Sequence, residues 1–501
     1  MAHATAPFLD DRIAAGDGDR VAIQTPSGRL TYVGLVDQAN RTGHALREIG
    51  VEPEQRVALL MPDGIDWAAT FFGALRIGAV AVPLNTRLAP RDWAAMLADS
   101  RAKVLVADAG LAKPLLEHAH LFPHLRVVVA ASSLEQLRSE ASPDLDVEPV
   151  TPDDMAFWLY SSGTTGAPKA VVHLHRDLVA CRHYGTDVPG VTRDDRVLVT
   201  SKLFFAYALG NALLIPCFAG ASTWLDPAWA DPGTIKTVVR SFAPTLFFSV
   251  PTFYARLLRS DLPDDTFRSV RAAVSAGERL PAEVYVAFRS RFGVEILDGL
   301  GATETIFMVL ANRPGRSRAG SAGTSVPGTD ARLVDPGGRD VADGEPGVLH
   351  VRTPSASPGY WRNVDASRRT FVGEWLRTGD VMTRDADGFY YHAGREDDLF
   401  KVAGQWVTPA TVEAVLLGHP GVADAGVVGA EDGSGLVKAF AFVVATDASG
   451  NDLVDELGRL MDVKLAPHER PKQIRVVEEL PRTATGKLQR FRLRDLATGR
   501  G

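Results

Sequence analysis

The sequence predicts an α/β protein with a large N-terminal domain of mixed and parallel sheets flanked by helices, followed by a small α+β domain. Its first half alternates helical and strand patterns, which is typical of parallel sheets. After Ala319, glycine and proline become frequent and the apolar runs shorten, which indicates a β-rich subdomain. The pattern changes again near residue 397. We therefore predict domains at 1–396, with the subdomain at 319–396, and at 397–501.

The helices and strands of the first half follow from the spacing of apolar residues. A helical pattern runs from Leu35 to Ile49 and stops at Gly50, a residue suited to the position after a helix. Short apolar runs then alternate with helical patterns. The predicted strands are Val57–Met61, Ala79–Pro83 and Lys103–Ala107, and the predicted helices are Asp66–Arg76 and Asp92–Ser100.

The second half predicts short strands and then a small α+β unit. Thr408 followed by Pro409 is typical of an N-cap with proline at the first helical position, so a helix should run from there to Leu417. The other predicted elements are the strands Ala331–Val334, Val348–Val351, Val422–Gly429, Lys438–Val444 and Gln473–Glu478, and the helix Asp455–Lys464.

Composition excludes several classes of protein. The chain has 501 residues and a net charge of −7, whereas a nucleic-acid-binding protein needs a basic face. Only two cysteines occur, Cys181 and Cys217, so a disulfide framework or thiolate metal site is not expected. No apolar run suits a signal peptide or a membrane span. We expect a cytoplasmic enzyme with no nucleic-acid or membrane partner. The oligomeric state stays open, with a homodimer as one alternative.

The segment Tyr160–Lys169, with the sequence YSSGTTGAPK, is the most informative in the chain. Apolar residues on both sides place it in a loop between two strands. Glycines let the backbone approach a ligand, and hydroxyl groups, backbone N–H groups and a lysine suit a polyphosphate. The spacing differs from that of a Walker A loop. The predicted phosphate-binding residues are Ser161, Ser162, Gly163, Thr164, Thr165, Gly166 and Lys169.

This segment resembles the signature loop of the AMP-forming acyl-CoA synthetase superfamily of adenylate-forming enzymes. Ala170 stands where the family usually has glycine. Further motifs follow in the family's order: SAGE at 275–278, DGLGATE at 298–304, RTGD at 377–380 and GREDDLFKVAG at 394–404. The resemblance assigns ATP or AMP binding to Ala276, Gly277, Glu278, Asp298, Gly299, Leu300, Asp380 and Arg395. It also assigns an α-phosphate contact to Thr303 and Mg²⁺ to Glu304, since a carboxylate is a hard ligand suited to that ion.

The resemblance extends to the C-terminal domain, which it implies is mobile. Lys487 lies in the segment PRTATGKLQR and matches the family's catalytic lysine. Asp397 matches the hinge between the domains, and Gly404 matches a glycine beside the thiol channel. Trp406 is a further candidate for that channel, with packing between domains as the alternative. A lone lysine is normally a solvated surface charge, and it is the accompanying motifs that favour a role in catalysis.

The segment Lys202–Asn211, KLFFAYALGN, resembles the benzoate–CoA ligase branch. Aromatic walls suit an aromatic acid. The branch commonly carries histidine where this chain has Phe307, so its pocket should be more apolar. An amino acid is disfavoured, because no aspartate near Ala206 pairs an ammonium group. The predicted acyl-pocket residues are Phe205, Ala206, Tyr207, Gly210, Gly301, Phe307 and Met308.

The expected activity is ATP-dependent ligation of a carboxylic acid, an aromatic one by resemblance, to coenzyme A, with Mg²⁺ as cofactor. An acyl-AMP would form first, and CoA would then accept the acyl group. Three alternatives stay open. The acceptor could be a carrier-protein phosphopantetheine, the acid could be non-aromatic, or the chain could be a non-catalytic nucleotide-binding protein. The presence of Lys487, Glu304, Asp380 and the phosphate loop argues against the last.

Overall fold

The computed structural model describes residues 5–161, 168–433, 435–446, 452–482 and 488–499. Within these residues, strands and helices are numbered in chain order.

The first sheet is built from consecutive strand–helix units, as the alternating pattern predicts. Its order is β6-β5-β3-β4-β7-β8, with parallel pairing up to β7 and an antiparallel hairpin between β7 and β8. The short apolar strands are buried on both faces, because helices cover both sides of a parallel sheet. Its strands are β3 Arg56–Leu60, β4 Val80–Pro83, β5 Val104–Ala107, β6 Val127–Ala130, β7 Met155–Ser161 and β8 Lys169–Leu174.

The second sheet is larger and has a parallel centre with antiparallel edges. Its order is β15-β14-β13-β12-β11-β9-β10-β1-β2, and the run from β13 to β1 is parallel. Its strands are β1 Val21–Thr25, β2 Gly28–Thr31, β9 Arg196–Val199, β10 Ser222–Trp224, β11 Leu246–Ser249, β12 Ala272–Ser275, β13 Ile296–Gly301, β14 Met308–Ala311 and β15 Thr324–Ser325.

Helices surround the two sheets and begin at recognisable caps. Thr31, Asp108 and Asp231 each accept backbone N–H groups at the start of a helix, which satisfies donors that the first turn leaves free. The helices of this part are α1 Asp10–Ala14, α2 Tyr32–Glu48, α3 Ile65–Arg76, α4 Pro90–Ser100, α5 Ala109–Leu116, α6 Leu134–Glu140, α7 His175–Val179, α8 Cys181–Gly185, α9 Ala206–Ala208, α10 Ile215–Ala219, α11 Pro232–Phe242, α12 Pro251–Leu258 and α13 Ala282–Phe292.

A third, antiparallel sheet follows, in the range where the sequence predicts short strands. Its order is β16-β17-β19-β18, and β20 pairs with β19. The helix α14, Val364–Thr370, lies in this region. The strands are β16 Asp330–Val334, β17 Gly347–Arg352, β18 Phe371–Val372, β19 Trp375–Arg384 and β20 Tyr390–Arg395.

The C-terminal part has the predicted α+β composition. Pro409 opens a helix after Thr408, although the Thr408 side chain makes no cap hydrogen bond within the described residues. The strands β21 Phe400–Val402 and β22 Gln405–Val407 form a hairpin, and β23, β24 and β25 form a three-stranded sheet. The remaining elements are β23 Val422–Glu431, β24 Val437–Ala445, β25 Gln473–Val476, α15 Pro409–Leu417, α16 Leu453–Lys464 and α17 Arg490–Thr498.

The observed elements confirm the predicted α/β class and its small α+β unit near the C-terminus. Each predicted helix and strand is present with its ends shifted by a few residues. Gly50 has a φ of +87°, which explains why the helix from Tyr32 stops there. Domain boundaries at 396 and 397 stay a prediction. Among the described residues, no helix has the length and apolar character needed to cross a membrane.

Candidate active site

The β7–β8 hairpin supports the predicted phosphate loop. Ser161 ends β7, Lys169 begins β8, and these residues are paired in register. The loop therefore leaves one strand and returns on its antiparallel neighbour, as the flanking apolar runs predict. The predicted residues Ser162, Gly163, Thr164, Thr165 and Gly166 lie outside the described residues, and so does Lys487.

The Thr303–Glu304 turn follows β13, and a buried histidine contacts its backbone. His173 on β8 is fully buried, and its Nε2 lies 2.8 Å from the carbonyl oxygen of Thr303. Its Nδ1 lies 3.1 Å from the Asp177 carboxylate. Since a carbonyl oxygen only accepts hydrogen bonds, Nε2 must carry a proton. The hairpin and the Thr303–Glu304 turn are thus joined through one imidazole ring.

Tyr360 joins the predicted metal ligand to the predicted phosphate-binding lysine. The Tyr360 hydroxyl donates to Oε1 of Glu304 at 2.7 Å, and Nζ of Lys169 lies 5.1 Å from the centre of the same ring. Burial and then the Glu304 charge raise the pKa of Tyr360 well above its usual value, so the hydroxyl keeps its proton. Tyr360 also forms a β-bridge with Val171 of β8. This ring therefore fixes the Glu304 carboxylate against the hairpin.

The surroundings of Glu304 are compatible with a magnesium site of the kind that nucleotide phosphates complete. Glu304 is partly exposed, and its Oε1 is oriented by Tyr360. Mg²⁺ is usually bound by one or two carboxylates together with water and substrate phosphates. Among the described residues no group of three or more acidic, histidine or cysteine side chains could enclose a metal by itself. A single carboxylate that Tyr360 orients close to Lys169 is compatible with this mode of binding.

Asp380 is a buried carboxylate in an ordered charged group. It pairs in register with Arg395 across β19 and β20, and Nη1 of Arg395 donates to Oδ1 at 2.8 Å. Nε2 of His392 lies 3.3 Å from the same oxygen. Burial acts against ionisation, but the hydrogen bond from His392 and the charge of Arg395 lower the pKa of Asp380 to about 2. Asp380 is therefore ionised at neutral pH and has acceptor capacity left on Oδ2 for a diol.

Arg395 lies between the Asp380 group and the Glu304 group. Burial opposes its charged form, but the carboxylates of Asp380, Asp397 and Glu304 raise the pKa of Arg395. Arg395 therefore contacts the predicted ribose residue Asp380 directly and senses the charge of the predicted metal ligand Glu304.

Ion pairs hold the chain on both sides of Asp397. On the N-terminal side, Arg395 pairs with Asp380, and Glu396 accepts from Arg377 at 2.5 Å. On the C-terminal side, Arg490 donates to Asp398 at 3.1 Å. Asp397 itself is exposed.

Arg490 ties this junction to the C-terminal sheet. Its guanidinium also binds the Glu413 carboxylate and the carbonyl oxygen of Val427. Arg494 adds a contact to the carbonyl oxygen of Asp397 at 3.2 Å. Asp397 is thus the residue between one set of contacts on β19 and β20 and another set on α15, α17 and β23.

The predicted adenine-side segments end neighbouring parallel strands. Ala276 and Gly277 follow β12, and Gly277 has a φ of +89°, which favours glycine. Glu278 accepts a hydrogen bond from the Thr252 hydroxyl. Burial raises the pKa of Asp298 on β13 to about 8, so this carboxyl group carries a proton at neutral pH. Leu300, by contrast, packs against the core of the third sheet.

The predicted acyl-pocket residues form two contact pairs with glycines. A Cβ on Gly210 would lie 3.1 Å from Cδ1 of Phe307, and a Cβ on Gly299 would lie 2.5 Å from Sδ of Met308. Glycine at 210 therefore makes room for the Phe307 ring. Glycine at 299 does the same for Met308.

The other predicted wall residues make different contacts. The Tyr207 hydroxyl lies 3.1 Å from the Ser249 carbonyl and 3.0 Å from that of Val274, at the ends of β11 and β12. Phe205 and Ala206 are partly exposed at the start of α9. A Cβ on Gly301 would lie 2.9 Å from the Phe307 carbonyl oxygen, so that glycine permits close backbone approach.

Gly404 and Trp406 lie together in the hairpin of β21 and β22. Gly404 has a φ of +82°, and open space surrounds the position of a Cβ among the described residues. Trp406 is 55% exposed, and Nζ of Lys401 lies 4.6 Å from the centre of one of its rings. Both residues face solvent here, and their role in a thiol channel stays a prediction.

Three residues that contact the predicted site from other parts of the chain were not predicted from the sequence. His173, Tyr360 and Arg490 contact predicted site residues, or residues next to them, from far away in the chain, with separations of 130, 56 and 92 residues. No spacing rule connects such positions. The sequence offers one signal for such a residue. His173 is a histidine within the apolar run that follows Lys169 and forms β8.

Comparison with known proteins identifies the family of this chain. A family model described as AMP-binding enzyme matches residues 10–361, and one described as AMP-binding enzyme C-terminal domain matches residues 411–487. The chain therefore belongs to the AMP-binding enzyme family, and the resemblance deduced from the motifs is confirmed.

Similar proteins include aromatic-acid ligases. A 4-hydroxybenzoate–CoA/benzoate–CoA ligase of Rhodopseudomonas palustris is 40% identical, covering 99% of this chain and 94% of that protein. An anthranilate CoA ligase in complex with anthranoyl-AMP superposes with a TM-score of 0.93 and 36% identity, covering 99% of this chain and 98% of that one. A benzoate CoA ligase from Burkholderia xenovorans LB400 has a TM-score of 0.90 and 38% identity, covering 99% of this chain and 100% of that one.

Proposed function

We propose that this protein is an ATP-dependent acid–thiol ligase that converts an aromatic carboxylic acid to its acyl-AMP and then transfers the acyl group to coenzyme A. The observation that carries the proposal is the contact series Lys169–Tyr360–Glu304, with Arg395 and Asp380 beside it. Together these residues join four separate motifs into one group of charges suited to a nucleotide. The names of the aromatic-acid ligases support the choice of acid and acceptor.

The first half-reaction brings two anions together. A carboxylate oxygen of the acid forms a bond to the α-phosphorus of ATP, and the bond from that phosphorus to the pyrophosphate oxygen breaks. Pyrophosphate leaves, and the product is the mixed anhydride acyl-AMP. Positive charge has to be supplied where the anions meet. Among the residues that the structure describes, Lys169 and Arg395 supply this positive charge. Lys487 would supply it beside the acid carboxylate and the α-phosphate.

The nucleotide is oriented by groups whose positions hydrogen bonds fix. Asp380 accepts from the ribose hydroxyls with its ionised carboxylate. Thr303 faces the α-phosphate from a turn whose backbone is fixed by His173. Glu304 would hold Mg²⁺, and the ion would supply neutralisation of phosphate charge when bound.

The second half-reaction replaces the phosphate with sulfur. The thiol of coenzyme A attacks the acyl carbonyl carbon with loss of its proton to solvent, the bond from that carbon to the AMP oxygen breaks, and AMP leaves. We assign the change between the half-reactions to rotation about Asp397. This residue lies between two independently held segments, so a few backbone dihedral angles can absorb a rotation. Gly404 and Trp406 would then line the thiol channel.

The acid is proposed to be aromatic because its pocket is lined by ring and apolar groups. Phe307 and Met308 are buried against Gly210 and Gly299, and the Tyr207 hydroxyl is turned toward backbone carbonyls rather than left free to bind substrate. Without a charged group among these wall residues, the slot favours a ring over an ammonium or second carboxylate.

ATP–pyrophosphate exchange with a panel of acids tests the proposal. The panel should contain benzoate, its amino and hydroxy derivatives, an arylpropenoic acid, and short and medium aliphatic acids. We expect exchange with one or more benzoates, followed by thioester formation when CoA is added. Exchange with aliphatic acids alone would overturn the aromatic assignment. Exchange without a CoA thioester would favour a carrier-protein acceptor, and no exchange with any acid would favour a non-catalytic protein.

A further inference from the structure

A buried ion pair, Asp63 and Lys202, lies next to the acyl-pocket wall and has no part in the chemistry above. Both side chains are almost fully buried, with 6% and 5% exposure, and their charged atoms are 3.9 Å apart. A buried ion pair is weak evidence for a stabilising role, because the cost of desolvating two charges offsets their attraction. Its retention at this place therefore needs another reason.

Asp63 holds the beginning of the pocket wall. It lies between β3 and α3, and its two carboxylate oxygens are 3.2 and 3.3 Å from the backbone nitrogen of Leu203. Leu203 is followed directly by Phe204 and Phe205, whose rings pack edge to face with centroids 4.6 Å apart. The carboxylate thus fixes the first residue of the segment that leads to Tyr207 and Gly210.

Lys202 ties the same segment to a different loop. Its ammonium group donates to the carbonyl oxygen of Asp226 at 2.5 Å and also to that of Ala228. These carbonyls follow β10. The ring of Trp229, the next residue, lies 6.2 Å from that of Phe204. The guanidinium of Arg87 lies 3.7 Å from the centre of the Trp229 ring, and Nζ of Lys202 lies 5.8 Å from it. Three strand ends, those of β3, β9 and β10, therefore meet at this ion pair, and they come from two different sheets.

Each charge depends on its partner. Burial raises the pKa of Asp63 to about 7, while the Lys202 charge acts to lower it. Burial also lowers the pKa of Lys202, while Asp63 and Asp226 act to raise it. Removal of one partner would leave an uncompensated buried charge, and the loop it holds would have to move.

We propose that Asp63 and Lys202 are positioning residues that set the place of the 203–210 wall, and through it the affinity for the acid rather than for ATP. The inference rests on the proposed function in so far as this wall contacts the acid. Neither side chain is assigned to the reaction itself.

The test compares Asp63→Ala, which loses the acceptor for Leu203 N–H, with Asp63→Asn, which keeps one. Loss of such a hydrogen bond and its charge should raise the KM for the acid about tenfold in Asp63→Ala. Asp63→Asn should fall between it and the wild type. The KM for ATP should change less than about twofold in either variant, because the nucleotide groups lie on other elements. Equal changes in both constants, or an unchanged acid KM, would overturn the proposal.

Asp195→Asn is the matched control. Asp195 is also buried, precedes the same strand β9 at its opposite end, and pairs with Arg271 at 3.0 Å. It should lower the melting temperature and leave the acid KM within about twofold of the wild-type value. If Asp195→Asn raised the acid KM as much as Asp63→Ala does, general destabilisation would explain both and the positioning role would be wrong.

Hydrogen exchange gives a readout that does not depend on knowing the acid. The backbone amides of 203–207 should exchange at least about tenfold faster in Asp63→Ala than in the wild type or in Asp195→Asn. Unchanged exchange there would contradict the positioning role even if every aromatic acid were active. Faster exchange in a protein that activates no aromatic acid would retain the positioning role and reject the proposed substrate class.

Discussion

The acyl side of the site and the junction around Asp397 are held by different kinds of contact. The acyl wall is supported by buried groups: the Asp63–Lys202 pair, the Tyr207 hydroxyl at two backbone carbonyls, and the close contact of Gly210 with Phe307. The junction is held by ion pairs of two kinds: Arg377–Glu396 is partly exposed, with side chains 39% and 34% exposed, whereas Arg490–Asp398 is mostly buried, with 16% exposure for each side chain.

The difference assigns separate tasks to the two regions. Buried packing resists displacement, since a shifted side chain loses contacts and leaves polar groups unpaired. Partly exposed ion pairs contribute little stability, and water replaces them at low cost. The acyl wall is therefore suited to fixed recognition of the acid. At the junction, the exposed Arg377–Glu396 pair can exchange with water, while the buried Arg490–Asp398 pair keeps Asp398 attached to the C-terminal sheet. Variants on the acyl side should change constants for the acid, and variants at the junction should separate the half-reactions.

The largest effect is expected beyond the junction, at Lys487. Lys487→Ala should lower acid-dependent ATP–pyrophosphate exchange by about 10²–10³-fold, because it removes a positive charge where two anions meet. Thioester formation from preformed acyl-AMP and CoA should stay within about threefold of wild type, since its barrier does not need that charge. Lys464→Ala, an exposed lysine at the end of α16, is the control. If Lys487→Ala lost both half-reactions, the lysine would not be specific to adenylation, and the proposed separation of the two half-reactions would be wrong.

At the junction itself, Asp397→Pro should slow thioester formation on the order of 10²-fold more than it slows adenylation. Proline fixes φ at the residue between the two held segments, so the second arrangement would be misplaced. The two half-reactions are measured separately, as above. Asp397→Ala keeps backbone freedom and should behave nearly as wild type. If the proline variant slowed both half-reactions equally, Asp397 would not be the hinge.

Between the two regions, Tyr360→Phe should raise the Mg²⁺ concentration for half-maximal exchange about tenfold. The variant removes the hydrogen bond that orients Glu304, and partners of metal ligands usually affect affinity by about 10–100-fold. Glu304→Gln serves as the reference, with a larger loss. A Mg²⁺ titration of exchange activity measures both. A changed KM for the acid with an unchanged Mg²⁺ requirement would place Tyr360 on the acyl side instead.

On the acyl side, Gly210→Ala should raise the acid KM about fivefold, which corresponds to about 1 kcal/mol of overpacking against the Phe307 ring. The KM for ATP should be unchanged. Adding Phe307→Val should recover much of the loss, because valine lacks the Cδ1 and Cε1 atoms that lie nearest to position 210. No recovery in the double variant would show that the two residues do not act through their contact.

The smallest expected effect is the pH response of Asp380. Because its pKa is lowered to about 2, the carboxylate is ionised throughout pH 5–8, and the KM for ATP should show no step due to this group. The same shift stabilises the fold above about pH 4, the ordinary value of an aspartate, and that contribution is lost as pH falls toward 2. Steady-state kinetics across pH 5–8 provide the check. A step near pH 5 that disappears in Asp380→Asn would contradict the assignment.

Much of the site could be read from the sequence because each motif is local. The hairpin that flanks residues 162–167 follows from the apolar runs on both sides of that segment. The turn at Thr303–Glu304 and the pairing of Asp380 with Arg395 come from the structure. The helices and strands follow from the spacing of apolar residues and from residues typical of helix ends, such as Gly50 and Pro409. Domain limits and residue roles stay predictions, since position alone does not test them.

The amino-acid sequence by itself determined the α/β class, the family and the order of the motifs, because hydrophobic period and short glycine-rich segments act over a few residues. Only the tertiary structure decided which distant groups support those motifs. The contacts of His173 with Thr303 and of Asp63 with Lys202 arise where strand ends from separate sheets meet. Tyr360 reaches Glu304 from a segment outside the named strands that bridges to Val171 of β8. Such pairings depend on how sheets and loops pack, and no local pattern in the chain encodes them.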